Sequence, residues 1–243
     1  MENAISAGLS RQIVLARALD VTANNIANQT TAGFKADHVS FREYLARLNT
    51  ADITDTDVSL VFDPDSYTDF SAGGVESTGA PLDFAISGDG FFGIETTTGV
   101  QYTRDGRFGL NDFSELVTRD GDLVLDAGGG PILIDPDAGP ILVARDGELQ
   151  QDGAPIGRLG VYEFDDNRLL RKTTSNLFAT DETPTLRDNP VIQQGFVERS
   201  NVQPIVAMTD MIEIVRAYES AAQLLETSND LARDTVRTLT QNA

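Results

Sequence analysis

Residues 204–239 read PIVAMTDMIEIVRAYESAAQLLETSNDLARDTVRTL. Met208, Ile212, Val215, Tyr218, Ala222, Leu225, Asn229, Ala232, Val236 and Leu239 recur at gaps of three or four, the spacing of one helix face. Pro204 suits a first helical turn, where its missing N–H would have had no partner anyway. At 1.5 Å per residue a helix over about 204–240 is roughly 55 Å long, more than a globular domain needs. A seam this long suggests coiled-coil packing. Alanines, a tyrosine and Asn229, however, stand where a strong two-stranded coil has Leu and Ile. Such a helix is weak alone and is expected to pack in a larger assembly. Asn229 in its seam would fix register at a cost in stability.

The other end of the chain carries a matching signal. Leu9, Ala16, Leu19, Ala23 and Ile26 share one helical face, the pattern stops near Asn28, and Gly33 follows. The region between the ends reads as β. Asp-Gly occurs at 89–90, 105–106, 120–121, 146–147 and 152–153, and this dipeptide supports the positive φ angles of tight hairpins. Around these turns lie Leu82–Ser87, Phe91–Glu95, Val100–Arg104, Arg107–Leu110, Glu115–Thr118 and Asp122–Leu125, short runs rich in β-branched and aromatic residues. Gly157–Phe164 and Leu169–Thr173 flank Asp165-Asp166-Asn167, a further hairpin signal. The expected fold class is mixed α and β, with N- and C-terminal helices and an inserted all-β domain of hairpins. The expected boundaries are 1–40 and 200–243 for the terminal helical part, 41–75 for an acidic connector with few apolar positions, and 76–199 for the β domain.

Charge and composition exclude several function classes. The chain has 18 Lys+Arg against 38 Asp+Glu, a net charge of −20. Most of this lies in residues 51–200, with 10 basic and 28 acidic residues, whereas residues 1–50 hold 5 and 4. That balance argues against nucleic acid and anionic membranes, which need clustered cations. No stretch is apolar enough for a transmembrane helix, and the N-terminus lacks the apolar core of a cleaved signal peptide. The absence of cysteine removes thiolate chemistry and disulfides, and His38 is the sole histidine, so no His-His metal pair exists. His38 is expected at the surface rather than as a base or ligand.

The chemical motifs do not hold. Gly88-Asp89-Gly90-Phe91-Phe92-Gly93 matches G-x-G-x-x-G, but the residues after it favour strand, and a dinucleotide site needs a helix to begin there. Asp63-Pro64-Asp65 starts like a calcium loop, yet Tyr67 and Thr68 occupy the next ligand and turn positions and Gly74 stands in place of the closing Glu. No catalytic, metal-binding or cofactor-binding residue is expected, and the chain is expected not to be an enzyme. The alternative from another class is an acidic β-domain hydrolase.

Three stretches carry a resemblance instead. Ala23-Asn24-Asn25-Ile26-Ala27-Asn28 followed by Gly33-Phe34-Lys35 resembles the N-terminal signature of flagellar rod and hook proteins, with a mild departure in the spacer Gln29–Ala32. Thr78–Ile86 running into Gly88–Phe92, and then Tyr102–Phe108, is similar to that family's β-domain core. Gln194–Val202, with Met211-Ile212 and Arg216-Ala217-Tyr218-Glu219, is similar to its C-terminal signature. The opening Met1–Ile5 and Gly8–Gln12 is most like the proximal rod members.

The resemblance implies a structural subunit of the proximal rod; distal rod or hook is the alternative within the family. In that family the terminal helices pair as a coiled-coil layer lining an axial tube, with the β domain outside. Subunits polymerise through the layer and transmit motor torque to the hook. The implied partners are neighbouring rod subunits and the flagellar type III export apparatus, with neither nucleic acid nor membrane insertion. The implied location is the periplasmic rod of the basal body, reached without a cleaved signal peptide. The residues expected to carry assembly are Leu9, Leu19, Asn24, Asn25, Ile26, Asn28, Gly33 and Phe34 at the N-terminal end. At the other end they are Asn201, Ile212, Arg216, Tyr218, Leu224, Leu225, Asn229 and Leu231. Gly33 is expected to hold a backbone angle barred to other residues and Phe34 to anchor the chain after the turn.

Overall fold

The helical spacing at the two ends gives α1, Glu2–Ala27, and α2, Pro204–Gln241. They belong to the first of two compact units in the computed structural model, made of residues 1–27, 37–69 and 203–243. The structure describes residues 2–47, 57–174 and 176–241. The first unit also holds β1, Asp37–Arg47, and β2, Asp57–Thr68, an antiparallel pair with a bulge between Ser40 and Arg42. This pair occupies much of the segment expected as an acidic connector. Val, Phe, Tyr and Leu in 39–45 and 58–62 are residue types that favour strand, a signal that the aspartates of the segment obscured. His38 is exposed and faces Tyr67 across the pair, their rings 5.5 Å apart.

Helix α1 packs against α2 and against both strands. Its most protected residues are Val14, Ala18 and Asn25. The face read from spacing lies roughly opposite: Ala16, Leu19, Ala23 and Ile26 are half-buried and Leu9 is 53% exposed. A helix covered by more than one element has no single apolar stripe, and a buried asparagine is invisible to an apolar count. On α2 the protected stripe starts one residue before the predicted seam. Ala207 is buried and Met211, Ile214 and Ala221 are half-buried; of the predicted seam Met208, Ile212 and Tyr218 are exposed, and Val215, Ala222 and Leu225 are half-buried. Neighbouring stripes on this helix are both apolar, so periodicity could not choose between them; packing against α1 did. A Cβ on Gly8 would lie 2.6 Å from Leu225 Cδ2, which marks the closeness of the two helices there. The side chains of Asn229, Leu231, Ala232, Val236 and Leu239 lie outside the described residues. No described helix is long and apolar enough to cross a membrane.

The second unit comprises residues 28–36 and 70–202. Its strands, in order, are β3 Val75–Ser77, β4 Phe84–Ser87, β5 Phe91–Thr96, β6 Gly99–Thr103, β7 Gly109–Leu110, β8 Leu116–Val117, β9 Leu123–Val124 and β10 Ile141–Val143. They continue with β11 Glu148–Gln151, β12 Ala154–Arg158, β13 Val161–Glu163, β14 Arg171–Lys172, β15 Phe178–Ala179, β16 Thr185–Leu186, β17 Val191–Gln194 and β18 Phe196–Glu198. The main sheet runs β14-β15-β6-β5-β9-β8-β7, and β13 joins it through β5 and carries β16. Smaller sheets are β10-β11-β12, β17-β4 and β18-β3, and all these pairings are antiparallel. Phe84, Phe92, Ile94, Leu116, Val124, Ile132, Leu149 and Val161 form the core, and a second cluster stacks Phe91, Tyr102 and Phe178 edge-on or tilted against Phe70 and Phe164.

Three of the five Asp-Gly pairs close hairpins: 120–121 between β8 and β9, 146–147 between β10 and β11, and 152–153 between β11 and β12. The other two serve close approach rather than reversal. A Cβ on Gly106 would fall 1.7 Å from the Phe84 carbonyl oxygen, so only glycine lets that backbone pass. The hairpin expected across Asp165-Asp166-Asn167 is not present. The Asp166 carboxylate accepts from the Arg168 N–H and caps a 3-10 turn at Asn167–Leu169, and the flanking strands pair elsewhere: β13 with β5 and β16, β14 with β15. The G-x-G-x-x-G stretch runs directly into strand β5.

Candidate functional site

The chain returns to one place in the second unit three times. Residues 32–36 arrive first. Gly33 has φ +66°, and a Cβ there would lie 2.2 Å from the Asp105 N, so both its angle and its surroundings demand glycine. Its N–H donates to the Glu198 carbonyl (2.7 Å). Phe34 is buried beneath Lys172, whose Nζ sits 4.0 Å from the ring centroid and donates to the Lys35 carbonyl (2.7 Å). Asn201 closes the segment from the other side. Its Oδ1 accepts from the Ala36 N–H (2.7 Å), its own N–H donates to the Phe34 carbonyl (3.3 Å), and its Nδ2 reaches Ser71.

At the centre of these strands lie three charges. Lys35 Nζ is 2.6 Å from Glu198 Oε1, and Arg104 Nη1 is 3.2 Å from Glu198 Oε2. All three side chains are at most 5% exposed. The remaining capacity of the carboxylate is met by the Gly73 N–H (2.9 Å). Lys35 also donates to the Ser71 carbonyl (2.7 Å) and Arg104 to that of Gly88 (2.8 Å), and the Arg104 guanidinium lies 5.1 Å from the Phe91 ring centroid. Arg104 Nε has no partner among the described residues. Burial pushes the Arg104 guanidinium below its ordinary value, and the charge of Glu198 acts against that shift. Two cations and one carboxylate leave a net positive centre, partly offset by the fields of Asp89 and Glu163. Such a cluster consists of buried members paired with one another. It does one thing well: it holds three chain segments in register, because both cations meet the one carboxylate and removing Glu198 would strand two buried charges.

The residues singled out in the sequence fall into separate groups. Gly33, Phe34 and Asn201 meet at this junction. Asn28 lies in the same unit, accepting from the Thr31 N–H and hydroxyl (3.1 and 3.2 Å). Asn25 belongs to the helical unit, where its side chain donates to the Asp37 carbonyl (2.7 Å) and accepts from the Asp37 N–H (3.0 Å), bracing the start of β1. Asn24 is exposed, Leu19 and Ile26 are half-buried on α1, and Leu225 is packed within the unit near Gly8. Ile212, Arg216, Tyr218 and Leu224 are exposed on α2. With Ile205, Val206 and Met208 they leave much of its apolar surface bare, as do Leu9 and Ile13 on α1. Sequence reasoning missed Lys35, Arg104 and Glu198. The available signal was a charged residue inside each of the three quoted stretches, shared in two of them with other charged residues. No group of three or more acidic or histidine residues is placed to hold a metal ion among the described residues.

Three family models match the chain, one over each of these stretches. Residues 5–35 match the model described as flagella basal body rod protein, which ends on Lys35. Residues 85–151 match the flagellar hook protein FlgE/F/G D1 domain, which contains Arg104. Residues 193–238 match the flagellar basal body rod FlgEFG protein C-terminal model, which contains Glu198. The chain is 42% identical over 241 residues to the flagellar basal-body rod protein FlgF of Caulobacter vibrioides, covering 98% of both chains. It is 38% identical over 242 residues to the FlgF of Mesorhizobium japonicum, again over 98% of both. It is 32% identical over 263 residues to the FlgG of Bacillus subtilis, covering 97% of this chain and 98% of that one.

Proposed function

The chain belongs to the flagellar basal-body rod protein family, in its FlgF group, and from that premise we propose how its parts build a rod. It is a structural component of the flagellar basal body that assembles with other rod and hook components, and it is not an enzyme. We infer that the bare apolar residues of the terminal helices are the assembly surface. Ile205, Met208 and Ile212 on α2 and Leu9 and Ile13 on α1 meet the helices of neighbouring subunits, and together they form a coiled-coil layer about the axis of the rod. Leu224, Arg216 and Tyr218 extend the contact, and Leu225 acts indirectly by keeping α2 against α1. Asn229 and Leu231 continue the same layer.

The single observation that carries this reading is the contrast within the molecule. Two helices of low net charge expose a row of large apolar side chains, while the intervening residues carry most of the net negative charge. Burying the exposed half of a side chain such as Ile212 on assembly contributes about 1 kcal/mol. Repulsion between acidic β units keeps them from associating in its place. The Lys35–Arg104–Glu198 junction holds its three chain segments in register within the β unit as torque passes along the rod. The subunit reaches the periplasm through the flagellar export apparatus, and its neighbours are the proximal and distal rod proteins.

The test is peptide mass spectrometry on stripped hook–basal bodies, in wild type and in Ile212→Asp. Wild type should be present at a few copies per particle. Ile212→Asp should be made at normal levels, melt like wild type as a monomer, and be missing from the particle. Full incorporation and normal motility of Ile212→Asp would remove α2 as the assembly surface.

A further inference from the structure

One ribbon of the β unit carries an aromatic side chain that the fold does not use. Residues 114–116 run antiparallel to 132–134: the Leu116 N–H donates to the Ile132 carbonyl (2.9 Å), the Ile134 N–H donates to the Ser114 carbonyl (2.8 Å), and Glu115 pairs with Leu133. Strand alternation turns Leu116, Ile132 and Ile134 into the core, so Leu133 faces outward and is 59% exposed. Phe113, next along the ribbon, is 79% exposed.

The turn beneath Phe113 is tightly bonded. Asn111 Oδ1 accepts from the N–H groups of Phe113 and Glu115 (both 2.9 Å), its Nδ2 donates to Glu115 Oε2 (2.8 Å), and its carbonyl accepts from the Ser114 N–H (3.0 Å). Ser114 is held at φ +64°, a region that non-glycine residues rarely occupy. The molecule thus fixes a turn whose most prominent product is a bare phenyl ring. The two strands of the ribbon and their flanks carry Asp112, Glu115, Asp135 and Asp137, and neither 111–118 nor 131–144 contains a Lys or Arg.

We propose that Phe113 and Leu133 are a docking spot for a different protein that presents an apolar recess rimmed by Lys or Arg. A large aromatic on a backbone turn that is already fixed loses little backbone entropy on binding, and aromatic side chains dominate interfaces. The carboxylate rim selects the partner by charge. A second copy of this chain brings a further −20 and an equally acidic β unit, and anionic lipid or nucleic acid is repelled in the same way. This surface is separate from the helical contacts proposed above and stands or falls without them.

The experiment replaces Phe113 with a photoreactive phenylalanine analogue in motile cells and maps the crosslinked peptide by mass spectrometry. Thr97, on the exposed β5–β6 turn, serves as the control position. The expected product joins position 113 to a Lys- or Arg-flanked apolar segment of another protein and is absent from position 97. Adding Asp112→Lys and Asp137→Lys should lower its yield several-fold with unchanged thermal unfolding. A crosslink to a second copy, a crosslink to an acidic segment, no product above the control, or a yield indifferent to the charge reversal would each overturn the proposal.

Discussion

Glu198→Gln is the substitution that most directly probes the junction. It keeps the size of the side chain and one carbonyl oxygen but removes the only negative charge within the buried cluster. Lys35 Nζ and Arg104 Nη1, now 2.6 and 3.2 Å from the two carboxylate oxygens, would share a cavity with no anion. Breaking a buried pair in this way costs about 3–5 kcal/mol, since the stranded charge cannot recover its hydration. For a chain of this size each kcal/mol moves the melting temperature by about 2–4 °C, so a drop of roughly 6–20 °C is expected. The proper comparison is Glu76→Gln. Its carboxylate pairs with Arg199 at 3.4 Å, but both side chains are about 60% exposed. An exposed pair of this kind contributes about 0–1 kcal/mol. The chain has no tryptophan, so near-ultraviolet circular dichroism reports its tyrosines, among them Tyr102 and Tyr162 in the second unit. Thermal melts of the two variants followed this way decide the matter. If Glu198→Gln melts within the shift produced by Glu76→Gln, the cluster is not what holds the three segments together.

Other outcomes follow from the same geometry. Gly33→Ala should lower stability by more than the roughly 1–3 kcal/mol of a strained backbone angle, because its new methyl meets the Asp105 N at 2.2 Å; a urea titration giving under about 1 kcal/mol would contradict the crowding described. Burial raises the pKa of both Tyr102 and Tyr162 above the ordinary value of 10.0. The stability these phenols contribute is therefore complete below pH about 10 and is lost as pH rises through their folded-state values, and phenolate absorbance of the folded protein should lag that of the urea-unfolded chain. Tyr102→Phe with Tyr162→Phe should remove most of that lag; an unchanged lag would place the effect elsewhere. Amide exchange on the purified monomer should show weak protection across 205–240 and strong protection around Phe92, Ile94 and Val124, because an isolated long helix draws little stability from packing. Uniformly strong protection over 205–240 would show that α2 needs no neighbours.

Local pattern was enough for the two terminal helices and for most strands of the β unit. Gaps of three and four residues, alternation of two, and Asp-Gly turns are all properties of neighbouring residues, and they give elements of the right type at nearly the right places. The misreadings share a cause. At Asp165-Asp166-Asn167 the turn chemistry was read correctly as a reversal of direction, but a capped 3-10 turn and a hairpin use the same residues. In 41–75 the aspartates outweighed the β-branched and aromatic residues that become decisive only when β1 and β2 pair. On α2 two adjacent stripes were equally apolar, and the choice of Ala207, Met211 and Ile214 over Met208 and Ile212 belongs to α1.

By itself the sequence determined that the chain has helical ends around an acidic β region, that it lacks the residues for thiolate or histidine-pair chemistry, and that three stretches match one structural family. These follow from composition and from spacing along the chain, which local sterics and solvation translate directly into structure. Only the tertiary structure decided that those three stretches meet. Lys35 and Glu198 are 163 residues apart in the chain, and Arg104 and Glu198 are 94 apart. Charges this distant in sequence carry no mark of their partners, because a lysine bound for a buried carboxylate and one bound for solvent are the same residue until the strands between them have paired.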